Sequence, residues 1–142
     1  MNLRSCGLVA ATISALALSN ACGFLKGSGA ANPVEELMTL CKDSNYKEAA
    51  KHMKYPGMDQ AKKDQTANYD SDDPNEKRQI EGMCKRFAAG AAVTHTVSAE
   101  RSEQGFAVYD VAFTDGSKNK KELWAFKKNG ANYVLADIDS VK

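Results

Sequence analysis

Residues 106–135 read FAVYDVAFTDGSKNKKELWAFKKNGANYVL, and this stretch decides the fold class. Apolar and polar residues alternate along much of it, as they do in a β-strand whose two faces meet different surroundings. Glycine follows a polar residue at Asp115-Gly116 and again at Asn129-Gly130, and such pairs are typical of tight hairpin turns. The stretch and the residues after it therefore predict antiparallel strands over 106–114, 119–127 and 133–139.

The preceding segment, residues 92–100, is also rich in β-branched residues and is followed by the turn signal Ser102-Glu103-Gln104-Gly105. It completes a predicted four-stranded antiparallel meander. Both faces of this sheet carry apolar side chains, because Tyr109 and Phe113 alternate with Val108 and Ala112. A second apolar face has three interpretations: a curved sheet that encloses a pocket, a homodimer interface through the sheet, or scattered exposed side chains.

Three helix starts precede the strands. Asn32, Asn45 and Asp73 are capping residues, and each is followed three positions later by a glutamate, which predicts reciprocal caps. Apolar residues at helical spacing follow, and the helices are expected to end near residues 42–45, at Tyr55-Pro56-Gly57 and at Gly90. Residues 58–72 are polar and predict a surface loop. Helices followed by strands predict an α+β domain over residues 33–142, with three helices packed on the sheet.

The N-terminus has the pattern of an export signal. Arg4 precedes an apolar run of twelve residues, 7–18, which as a helix would span about 18 Å and is too short to cross a membrane. Small residues then lead to Cys22, and this arrangement resembles the lipobox of bacterial lipoproteins, although Ser19 stands where leucine is usual. The sequence predicts a signal peptide over residues 1–21, and an acylated Cys22 with a glycine-rich tether over residues 22–32. An ordinary secretory signal cut after Ala21 is the alternative.

Lipidation implies a place in the bacterial cell envelope, with the membrane as a partner through the anchor. Gly23 follows the cysteine in place of the aspartate that commonly retains lipoproteins in the inner membrane, so the outer membrane is favoured in a Gram-negative host. Removal of residues 1–21 takes away only Arg4 and leaves 18 basic and 18 acidic residues. A neutral chain without a basic stripe is not expected to bind nucleic acid.

Removal of residues 1–21 leaves three cysteines, Cys22, Cys41 and Cys84, and acylation of Cys22 then leaves Cys41 and Cys84 as an even pair. Both lie on the apolar faces of predicted helices, and an envelope compartment permits a disulfide between them. Two buried reduced thiols are the alternative. No Cys-x-x-Cys motif occurs in the sequence, so a thiol oxidoreductase or a cysteine zinc site is not supported.

Three phrases resemble the small nuclear transport factor 2-like lipoproteins of bacteria: Asn45-Tyr46-Lys47-Glu48-Ala49-Ala50, residues 109–117 (YDVAFTDGS) and residues 127–135 (KKNGANYVL). The resemblance covers about residues 33–139. It implies a cone formed by the helices and a curved sheet. Because many members of this group have no assigned activity, the resemblance points to fold and compartment more than to chemistry.

Two hypotheses about function follow. The first is a binding domain for a small apolar ligand or an envelope protein. The second is a small hydrolase or isomerase that uses His95 with a nearby carboxylate, since enzymes of the resembled fold place such groups inside the cone. The candidate pocket residues are His95, Tyr109, Asp110, Phe113, Trp124 and Phe126.

No cofactor or metal is expected. The acidic segment from Asp70 to Glu81 has some of the spacing of a calcium loop, but Pro74 and Asn75 occupy its fifth and sixth positions, so we reject that site.

Overall fold

The computed structural model describes residues 32–141, so the predicted signal peptide, Cys22 and the first ten residues of the tether lie outside the described part. The described residues form the helices α1 (Pro33–Lys42), α2 (Tyr46–Ala50) and α3 (Pro74–Ala92), followed by the strands β1 (Thr94–Val97), β2 (Arg101–Glu103), β3 (Phe106–Asp115), β4 (Lys118–Asn129) and β5 (Asn132–Val141). All strand pairs are antiparallel. The predicted α+β class is therefore confirmed. No helix in residues 32–141 is long and apolar enough to cross a membrane.

The sheet has five strands where the sequence predicted four. The predicted strand 92–100 begins later, at Thr94, and ends at Val97, and the chain resumes pairing as β2 at Arg101. Both pieces pair with β3. Strand β1 pairs along residues 111–114, and strand β2 pairs along residues 106–108. The break comes at Ser98, whose backbone and hydroxyl both bond to the backbone of Asp110. Contacts between strands, which local propensity does not encode, decide where the strand breaks.

Two of the three hairpin turns fall at the glycines marked in the sequence. Gly116 and Gly130 adopt positive φ angles of 59° and 62° as the first residue of two-residue loops, a position that requires glycine in a type II′ turn. The β2–β3 turn is shorter than predicted. Only Gln104 and Gly105 form it, both at positive φ, and Ser102 and Glu103 belong to β2.

Each helix begins at the predicted capping residue, but none of the three reciprocal caps forms. At α2 the amide of Asn45 bonds to the carbonyl of Leu40, and the Glu48 carboxylate pairs with Lys51. Asn32 accepts the amide of Val34 at 3.0 Å, and Asp73 accepts that of Asn75 at 2.8 Å. Glu35 instead contacts His95, and Glu76 accepts the amide of Asn68 in the loop before α3. Tertiary partners thus replace the predicted local bonds of two glutamates. The second and third helices end at Ala50 and Ala92, not at residue 55 and Gly90.

The hydrophobic core lies between the helices and one face of the sheet. Side chains of β3 and β4 on this face pack with Leu37 of α1 and with Ile80 and Phe87 of α3. The ring centroids of Phe87 and Trp124 are 5.0 Å apart. Cys41 and Cys84 join α1 to α3 within this core at disulfide-bonding distance, with Cα atoms 4.6 Å apart.

The opposite face of the sheet carries apolar and charged residues mixed together. Val108 and Val134 are buried, and Phe106, Ala112, Leu123 and Ala125 are half-buried. Exposed charged residues, including Asp110, Lys121 and Lys127, stand between them. A homodimer through this face stays a prediction.

Candidate functional site

A groove opens between α3 and the hairpin of β3 and β4, and we call it the Trp124 groove. Its volume is about 240 Å³. The apolar part of its lining consists of Met38, Phe87, Gly90, Val93, Phe113 and Trp124. The charged part consists of Arg86, Asp115, Lys118, Lys120 and Glu122. An apolar concavity with a few charged groups is the usual form of a small-molecule site.

The periods of the two elements explain this lining. Lys118, Lys120, Glu122 and Trp124 alternate along β4 and therefore lie on one face of the sheet, the face that the helices cover. Arg86 and Gly90 are one helical turn apart on α3 and so lie on the same side of that helix. Most of the lining therefore comes from α3 and the β3–β4 hairpin, and Met38 of α1 adds to it.

Glu122 is the most buried charged group of the groove, at 3% exposure. Its Oε1 accepts hydrogen bonds from Arg86 at 2.8 Å and from Lys120 at 2.6 Å, and its Oε2 accepts the indole N–H of Trp124 at 2.8 Å. Burial alone would raise the pKa of Glu122, but the bonds from Lys120, Trp124 and Arg86 outweigh it and hold the pKa below its ordinary value. The carboxylate therefore stays ionised and sets the position of the Trp124 ring.

Gly90 brings α3 close to the hairpin. A Cβ atom at this position would lie 2.9 Å from the ring of Phe113, whereas one at Gly82, on the same helix, would meet nothing within 4 Å. The absence of a side chain at Gly90 thus allows Phe113 to form one wall of the groove.

This pair of glycines gives a matched prediction. We expect Gly82→Ala to raise the free energy of unfolding by about 0.5 to 1 kcal/mol, because alanine favours the helix more than glycine does. We expect Gly90→Ala to gain less or to lose stability, because the new methyl group displaces the Phe113 ring. Chemical denaturation of both variants measures the difference, and an equal gain in both would contradict the close approach.

The six predicted pocket residues do not come together in the groove. Phe113 and Trp124 line it. Tyr109 and Phe126 are 3% and 0% exposed and belong to the core. The sequence also placed Asp110 in this pocket, and the structure corrects that prediction. Asp110 lies on the outer face of β3, because neighbouring residues of a strand point to opposite faces. There it pairs with Arg101.

His95 lies beside Phe113, its register partner on β3, and its carboxylate partner is Glu35. Nδ1 lies 3.0 Å from the carbonyl oxygen of Val93, and Nε2 lies 3.1 Å from Glu35 Oε2. Both ring nitrogens therefore face protein acceptors, and the two bonds form together when the ring is protonated. The structure does not bring His95 and Asp110 to one cavity.

The same bonds predict that the stability of the fold depends on pH. The bond to the carbonyl of Val93 and the contact with Glu35 raise the pKa of His95 against the effect of burial. The folded state therefore binds the imidazole proton more tightly than the unfolded chain, in which the pKa of the histidine is about 6.5. The contribution of His95 to stability is complete below that pKa and is lost as the pH rises through the folded-state value.

We expect His95→Gln to remove this part of the dependence. Unfolding free energies measured across neutral pH should then fall less steeply for His95→Gln than for the unmodified chain, and Glu35→Gln should give an intermediate slope. Identical slopes in all three proteins would contradict the ion pair.

A second polar cluster centres on Glu100, outside the groove. Its Oε2 accepts the hydroxyls of Tyr109 at 2.7 Å and Tyr133 at 3.0 Å, and Lys128 lies 3.4 Å from Oε1. The bond from Tyr109 is the main cause that holds the pKa of Glu100 below its ordinary value. Burial and the same bond raise the pKa of Tyr109. Each of these polar side chains has a partner. The bonds connect Glu100, which lies just before β2, to strands β3 and β5.

Sequence reasoning missed Glu122, Arg86 and Lys120 as site residues. One signal was available, because Glu122 has the same parity as Trp124 and Phe126 and so occupies an inward position of a strand. A charged residue at such a position requires partners. Its cationic partner Arg86 is 36 residues away in sequence and could not be inferred from spacing.

Within residues 32–141, no group of three or more His, Cys, Asp and Glu side chains is arranged to hold a metal ion. The described domain is thus an α+β unit with an apolar groove that carries charged residues. Comparison of the chain with protein-family models, curated proteins and solved structures finds no match.

Proposed function

We propose that this chain is a lipid-anchored protein of the bacterial cell envelope whose domain binds a small ligand in the Trp124 groove without chemical conversion. The observation that carries the binding role is the groove itself, in which Met38, Phe87 and Phe113 surround the only tryptophan of the chain. Binding requires an apolar surface with oriented polar groups, and the groove has both.

A nuclear transport factor 2-like cone is part of this proposal. Two irregularities support a curved sheet: the break between β1 and β2, and the register shift between Ala125 and Phe126 in the pairing of β4 with β5. Such irregularities bend and twist strands. Curvature towards the helices would deepen the groove on the helix-covered face.

The binding role is supported over the enzyme alternative by the state of the polar groups. Both ring nitrogens of His95 face acceptors of the protein itself, and the Glu122 carboxylate accepts three hydrogen bonds. An acid or base in a reaction needs at least one position that is open to the substrate. These groups are arranged to hold the fold and the groove, and turnover of a substrate abolished by His95→Gln in a folded protein would favour the enzyme instead.

The binding test uses Trp124 emission and calorimetry with octanol as a neutral apolar probe. The chain carries Cys22→Ser and is exported to an oxidising compartment, so that no acyl chain competes for the groove. We expect Phe113→Ala to weaken binding about tenfold, because it removes most of one apolar wall. Phe106→Ala is the matched control, since Phe106 is also half-buried on β3 but faces the other side of the sheet. Equal affinities in the two variants would place binding elsewhere.

The anchor has its own test. Expressed in a Gram-negative host, the unmodified chain should incorporate labelled palmitate and partition into detergent, and Cys22→Ser should do neither. Equal labelling of Cys22→Ser would overturn the anchor and leave the groove proposal standing.

A further inference from the structure

The charges of the Trp124 groove do not cancel, and one positive charge is left over. Its lining contains three cationic side chains, Arg86, Lys118 and Lys120, and two acidic ones, Asp115 and Glu122. Asp115 and Lys118 are directly opposite each other in the register of β3 and β4. Arg86 and Lys120 then share the single carboxylate of Glu122. The surplus positive charge therefore lies where Glu122 and Trp124 meet.

The two cations that share Glu122 are half-exposed, whereas the carboxylate that accepts their bonds is buried. The exposed fractions of the side chains are 54% for Arg86 and 56% for Lys120, against 4% for Glu122. An arginine has five N–H donors and a lysine has three, so each keeps donors that the bond to Glu122 does not use. These free donors border an apolar groove.

Resting on the binding role proposed above, we propose that the ligand is a small amphiphile with a short apolar body and one carboxylate, and that this carboxylate binds Arg86 and Lys120. A neutral ligand would cover these cations and offer at most weak acceptors such as a hydroxyl, which leaves some of their donors unsatisfied at a cost. A cationic ligand would meet the surplus of its own sign. The anion instead forms charge-assisted hydrogen bonds.

The size of the groove favours a short molecule over a protein segment. A volume of about 240 Å³ is below the range of roughly 300 to 1,000 Å³ that is usual for drug-sized ligands. The groove therefore fits a short alkyl or single-ring carboxylate.

The experiment compares octanoate, octanol and octylammonium, which share one alkyl chain and differ in the head group. They are titrated into the full chain with Cys22→Ser by calorimetry and by Trp124 emission. We expect octanoate to bind at least about tenfold more tightly than octanol, as hydrogen bonds to charged groups imply. Octylammonium should bind most weakly, and added salt should weaken octanoate but not octanol.

A matched pair of variants locates the charge effect. Lys120→Gln should weaken octanoate binding and bring the affinities for octanoate and octanol closer together. Lys121→Gln makes the same change in net charge on the neighbouring residue, which faces the outer side of β4, and should have little effect. An equal loss in both variants would show a general effect of net charge and would overturn the assignment.

The outcomes separate this inference from the binding role. Equal affinities for octanoate and octanol, or the tightest binding for octylammonium, would overturn the carboxylate and leave the groove as an apolar site. Binding of none of the three would contradict the binding role itself.

Discussion

Replacing Cys41 and Cys84 together with alanine is expected to lower the free energy of unfolding by about 4 kcal/mol. The two cysteines are 43 residues apart in the sequence, and the bond between them restricts the unfolded chain. In the chain-entropy model a loop of this length gives a value of this size, which is a large part of the stability of a small domain. The bond also fixes α1 to α3, the helices that contribute Met38 and Phe87 to the groove.

Urea denaturation with and without a reducing agent measures this effect. The reductant should destabilise the unmodified chain by the same amount and leave the double variant unchanged. Alkylation of the unreduced, denatured protein purified from the envelope provides an independent check. If it labels both Cys41 and Cys84, the thiols are reduced and the prediction is wrong.

Replacing Glu122 with alanine is expected to lower the free energy of unfolding by about 2 to 3 kcal/mol. The buried indole N–H of Trp124 loses its acceptor, and the charges of Arg86 and Lys120 lose their partner. Breaking a fully buried ion pair costs about 3 to 5 kcal/mol. The value here is lower because water can solvate both half-exposed cations once the carboxylate is gone.

Two controls define this prediction. Glu122→Gln keeps an acceptor for the indole and should cost less than Glu122→Ala. Glu103→Ala breaks an exposed pair with Arg101 and should change stability by at most about 1 kcal/mol. Chemical denaturation gives the three values, and Trp124 emission reports the loss of its hydrogen bond. A cost for Glu122→Ala no larger than for Glu103→Ala would contradict the stabilising role of the buried Glu122 carboxylate and its three hydrogen bonds.

The features that the sequence predicted correctly are those decided by neighbouring residues. Gly116 and Gly130 adopt the backbone angles that a tight hairpin requires, and Asn32 and Asp73 bond to amides two residues away. Alternation placed Tyr109 and Phe113 on one face of the sheet and Val108 and Ala112 on the other, and the structure has them so. These are local or periodic properties, and the sequence contains them directly.

The features that the sequence missed depend on partners distant in the chain. Glu35 was expected to cap its own helix, yet it bonds to His95, 60 residues away. The first predicted strand breaks at Ser98 because Ser98 pairs with Asp110 of β3. The groove itself joins an arginine of α3 to a glutamate of β4. Such pairs form only when the elements pack, and a single sequence does not state how they pack.

Binding in the Trp124 groove is tested most directly by an amide NMR titration of the full chain, carrying Cys22→Ser, with octanol and then octanoate. We expect shifts concentrated at Gly90, Val93, Phe113 and Lys120 and at the indole N–H of Trp124, with larger shifts at Lys120 for octanoate. Shifts centred on the outer face of the sheet, around Phe106 and Lys121, or no shifts at all, would contradict the claim that the Trp124 groove is the binding site.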